Sequence, residues 1–170
     1  MNEAERARMS FADFLAVYDL SFHGAQVLVS AATDLLVLGI DCPVVVAVAS
    51  AIITPETNRF VIDDLVRDAR AELGLAQLDD DALIIRVAQS QLRRWAAGVM
   101  SDRELAAWAH KVIGHDGPFV LQALVNADDE FDDVDNSWTT LADAYVHSGL
   151  LDTASNIFAL ADPWEMNRVR

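Results

Sequence analysis

The chain has 170 residues, 27 acidic against 12 basic side chains, a formal charge of −15 and one cysteine. A surface of that sign repels nucleic-acid phosphates and anionic lipid headgroups, so neither nucleic acid nor membrane is an expected partner. A domain of this length hides roughly 70% of its unfolded surface without staples, and Cys42, within the largely apolar stretch Ile40 to Val46, is expected as a buried, inert thiol.

The opening Met1-Asn-Glu-Ala-Glu-Arg-Ala-Arg8 mixes acids and bases and leads into no apolar core of signal-peptide type, which predicts a cytoplasmic protein. Ser10 precedes Phe11, Phe14, Leu15 and Tyr18, a stripe that predicts a first amphipathic helix with Ser10 near its N-cap and an interruption at Gly24. Ala25 to Leu38 is apolar almost all round and reads as a central helix stopped by Gly39. Asp34 and the break at Asp41-Cys42-Pro43 leave no charge-free run longer than about 14 residues, short of the ~20 that a membrane span needs. Asp41 is the N-cap candidate for a short helix over Val44 to Ile53, where the valine run leaves a buried strand as the alternative.

Thr54-Pro55 predicts another helix start, and Phe60, Ile62, Leu65, Val66, Ala69 and Leu73 keep helical spacing as far as Gly74. Asp79 to Asp81 favour a helix N-terminus before Leu83, Ile84, Val87, Ala88, Leu92 and Trp95, with Gly98 as the stop. Ser101-Asp-Arg-Glu104 has the form of a capping box, followed by the face Leu105, Trp108, Ala109, Val112 and Ile113 and the stop Gly114. His115-Asp-Gly-Pro118 turns into a helix carrying Leu121, Leu124 and Phe131. Trp138, Leu141, Ala142 and Tyr145 mark a further helix ending at Gly149, Ala154 to Ala161 a last short one, and the tail from about Pro163 reads as irregular. With no alternating strand pattern, no repeat and no linker, the expectation is an all-α, compact, single-domain bundle of seven or eight helices over 1–170.

Six acids fall within Asp128-Asp129-Glu130-Phe131-Asp132-Asp133-Val134-Asp135. A calcium loop starting at Asp128 or Asp133 lacks glycine at position six and glutamate at position twelve, so solvation, helix N-terminal charge for the Trp138 helix, or a basic partner must neutralise the run. Phe131 reads either as an aromatic anchor in that docking surface or as core. His110 and His115 are five apart across Gly114, unlike the four-residue spacing of a zinc-protease helix. They are the metal-ligand candidates, able to converge with Asp128 or Asp132, against the plainer reading of one exposed helix-end imidazole and one turn residue. His23 and His147 are isolated. There is no Gly-x-Ser-x-Gly elbow and no glycine-rich phosphate loop, so catalysis is disfavoured and no cofactor is expected. Trp95, Trp108 and Trp138 read as core, and Trp164 as a residue that docks on the body or on another subunit.

Leu35-Leu-Val-Leu-Gly-Ile-Asp-Cys-Pro43, Ala69-Arg-Ala-Glu-Leu-Gly-Leu75 and Trp95-Ala-Ala-Gly98 together resemble a loosely defined group of small helical proteins common in GC-rich bacteria. The resemblance, over roughly residues 25 to 117, implies a helical fold and carries over no catalytic residue. The leading functional expectation is a non-enzymatic interaction module in which Asp128, Asp129, Glu130, Phe131, Asp132, Asp133 and Asp135 bind a basic protein, in the manner of an immunity or antitoxin-like inhibitor. The alternatives are a metal-dependent helical hydrolase built on His110, His115 and the 128 to 135 acids, and a structural subunit that self-associates into a homo-oligomer.

Overall fold

The computed structural model describes residues 2–21, 25–54 and 56–133. Among them every regular element is helical: α1 (Glu3–Ser21), α2 (Ala25–Val37), α3 (Pro43–Ala49), α4 (Arg59–Leu73), α5 (Asp80–Ala96), α6 (Asp102–Val112), a 3₁₀ turn (Phe119–Leu121) and α7 (Gln122–Asp132). The all-helical class is as the periodicities require, and among the described residues no helix is long and apolar enough to cross a membrane. The helices expected around Trp138 and over Ala154 to Ala161, and the residues Gly24, His23, Asp135, His147 and Trp164, lie outside the described residues.

Contacts divide the chain into two compact units, Met1–Leu83 and Ile84–Arg170. In the first, Phe11, Leu15 and Tyr18 of α1, Leu28, Ala32 and Leu35 of α2, Val45 of α3, and Ile62, Val66 and Ala69 of α4 make one apolar cluster. Ser10 lies inside α1 and does not cap it. The helix starts at Glu3, where Asn2 and Glu5 each donate a backbone N–H to the other's side chain at 2.8 Å. At α3 the N-cap is Cys42, half-buried and without a side-chain capping bond, and Asp41 stands outside it. The Val44 N–H donates instead to Glu72 Oε2 of α4 at 3.1 Å, so a tertiary neighbour satisfies an orphan donor of the first turn. The start of α4 falls at Asn58, whose Oδ1 accepts the Phe60 N–H at 3.0 Å, beyond the expected Thr54-Pro55 signal.

In the second unit, Ala88 and Leu92 of α5 pack with Leu105, Ala106 and Ala109 of α6 and with Leu121, Leu124, Ala127 and Phe131 around α7. Trp95 and Trp108 lie partly buried against this cluster, as their spacing predicted. The expected capping box is present: Ser101 Oγ accepts the Glu104 N–H at 3.3 Å, and Glu104 Oε2 accepts the Ser101 N–H at 2.8 Å. The Ser101 N–H and the Ser101 hydroxyl, each donating to Glu104 Oε2 at 2.8 Å, hold that carboxyl below its ordinary pKa because they favour the charged form. Packing of α6 on α7 brings the histidines and the acidic run together.

Candidate metal centre between α6, its C-terminal turn and α7

His110 stands in the last turn of α6, and His115 follows in the turn beyond it. That turn is shaped by two glycines for different reasons. Gly114 takes φ +65°, the left-handed conformation that L side chains seldom adopt, and its N–H closes on Ala109 O at 3.3 Å. Gly117 is packed so closely on the end of α6 that a Cβ there would meet Ile113 Cγ2 at 2.5 Å and Ile113 O at 2.7 Å. The amide of Gln122, first residue of α7, donates to Gly114 O at 3.0 Å and to Gly117 O at 3.1 Å. The chain therefore reverses tightly and sets the His115 ring edge-on to His110, with centroids 5.0 Å apart and planes at 71°.

Two carboxylates of α7 face these rings. His110 Nδ1 is 3.0 Å from Asp128 Oδ2 and 3.4 Å from Asp129 Oδ1, and His115 Nε2 is 3.7 Å from Asp129 Oδ2. The Asp128 side chain is only 15% exposed, whereas Asp129 and His115 open to solvent. Despite its short distances, the buried His110 Nδ1 has no hydrogen-bond partner, since it is aligned with neither carboxylate. One donor atom each from His110, His115 and Asp129 lies within 4.8 Å of the others. Tetrahedral ligands at zinc-type bond lengths stand about 3.4 Å apart. The three donors thus approach a ligand set that needs a contraction of at most about 1.4 Å in its widest pair.

The other acids of the run have different surroundings. Asp132 pairs with Arg103 of α6, whose Nη1 also donates to Phe131 O at 3.0 Å and whose guanidinium lies 5.9 Å from the Phe131 ring centroid. Phe131 itself is 7% exposed and belongs to the core of the second unit, so it is unavailable as a docking anchor. Glu130 is half-buried and Asp133, at the C-cap of α7, is exposed. Sequence spacing named His110 and His115 but paired them with Asp128 or Asp132. The structure puts Asp128 and Asp129 beside them and turns Asp132 to Arg103.

Comparison with protein-family models, with curated proteins and with solved structures finds no match to the chain.

Proposed function

We propose that this protein binds a divalent transition-metal ion through His110, His115 and Asp129, with Asp128 beside His110 as a fourth donor. The observation that carries the reading is the convergence of three donor atoms within 4.8 Å around a buried imidazole nitrogen that hydrogen-bonds to nothing. Two imidazoles with one carboxylate suit zinc, copper, nickel or cobalt, whereas calcium and magnesium favour all-oxygen shells. The charge of −15 raises the local cation concentration and lowers that of anions. Elemental analysis of tag-free protein, followed by Zn²⁺ titration of wild type, His110→Ala, His115→Ala and Asp129→Asn, tests it. One equivalent in wild type and a lowered affinity in each variant supports the reading, and no uptake by wild type ends it.

A second reading keeps the acidic end of α7 as a docking surface for a basic protein, favoured by the exposed side chains of Asp129, Asp132 and Asp133. Its signature is association that weakens steeply with salt and with Asp132→Asn and Asp133→Asn, substitutions that leave the metal ligands intact.

A further inference from the structure

Resting on the metal reading, we infer that Gln122 is a positioning residue for the centre, acting through His115. Its side-chain nitrogen uses both protons, one on Gly114 O and one on Gly117 O, at 3.0 and 3.1 Å. Those two carbonyls bracket His115 and Asp116, so one amide ties down the backbone on either side of the ligand. No other side chain gives this turn such a restraint among the hydrogen bonds described. The neighbouring restraints are backbone ones: the Gly117 N–H to Gly114 O at 3.3 Å and the close seat of Gly117 on Ile113.

The physical consequence is preorganisation. His110 rides on a helix and Asp129 on another, whereas His115 sits in a turn, where the ring's position is only as defined as the backbone beneath it. Without the amide, the Gly117 carbonyl turns to water and the Gly114 carbonyl keeps only the Gly117 N–H, so the turn samples more conformations and binding must order it again. Groups that hold a ligand in place without touching the metal typically change affinity about 10–100-fold.

The test is Co²⁺ binding followed by visible absorption in wild type, Gln122→Met, His115→Ala and the double variant. Met keeps the length of the side chain and removes both donors. The expected result is a Gln122→Met affinity lower by about 10–100-fold, a ligand-field spectrum shifted toward that of His115→Ala, and no additional loss in the double variant over His115→Ala. Wild-type affinity and spectrum in Gln122→Met overturn the inference while the metal reading stands. So does an equal loss in the His115→Ala background, which marks a general effect on the fold. Should Gln122→Met fail to fold, wild-type protein decides: the Gln122 side-chain amide resonances must move with the same saturation as those of His115 when Zn²⁺ is added, and unmoved amide resonances overturn the inference. Wild-type protein that takes up neither ion removes the metal reading and this inference together.

Discussion

Substituting Gly117 by alanine tests the turn that carries His115. The new Cβ would lie 2.5 Å from Ile113 Cγ2, 2.7 Å from Ile113 O and 3.3 Å from Ile113 C. Carbon atoms in good contact sit about 3.5–4.0 Å apart, so the first overlap is about 1 Å. Rotation of Ile113 could relieve Cγ2, but that side chain is part of the core and its oxygen belongs to the backbone at the end of α6. Overpacking of this kind costs roughly 1–3 kcal/mol. At about 2 kcal/mol, Tm falls by about 4–8 °C for a chain of this size. Gly114→Ala is the internal control: its nearest obstacle is His110 O at 4.0 Å, so only the strain of φ +65° counts, about 1 kcal/mol. Thermal and urea melts followed by tryptophan fluorescence should rank Gly117→Ala below Gly114→Ala and both below wild type. Ile113→Ala should not rescue Gly117→Ala, because the carbonyl overlap persists. A Gly117→Ala protein that melts within about 1 °C of wild type, well inside the shift expected from overpacking, or a reversed order of the two variants, refutes the reasoning.

Phe131→Ala should destabilise the second unit by about 3–5 kcal/mol in urea melts, as loss of a buried ring does; an unchanged melt would restore Phe131 to the surface. Ser101→Ala removes the hydroxyl that caps α6 and should cost about 0.5–2 kcal/mol. In wild type the Glu104 pKa is depressed, so its capping contribution is full above the ordinary carboxylate pKa and disappears as pH falls through the depressed value. NMR titration should show the Glu104 pKa rising in Ser101→Ala. Tyr18 is pushed up to about 12 by burial first and then by donating to Asp63 Oδ1 at 2.7 Å. Its folded-state pKa is raised, so its contribution is full below the ordinary phenol value and is lost as pH climbs through about 12. Phenolate absorbance should show Asp63→Asn lowering that value, and an unmoved titration would mean the hydrogen bond contributes nothing.

Much of the helical layout follows from interactions that span four residues or fewer, and these are legible in a linear sequence. The capping box of Ser101 and Glu104, the stop at Gly114 and the apolar face of α6 are all of this kind. Local signals also compete, which is why Ser10 and Thr54 look like helix starts while Asn2 and Asn58 serve. Phe131 illustrates a second limit: an aromatic residue among six acids reads as an anchor or as core, and the packing of α7 against α6 chooses core.

By itself the sequence determined the helical class, most helix ends and the strong negative charge, because backbone hydrogen bonding, capping and amphipathic spacing act along the chain. Tertiary structure alone decided the partition of the apolar residues into two clusters, the burial of Phe131 and the meeting of His110, His115, Asp128 and Asp129. A five-residue spacing across a left-handed glycine has no fixed geometry until Gln122 and Gly117 close the turn. Carboxylates more than a dozen positions away reach the rings only because two helices pack face to face.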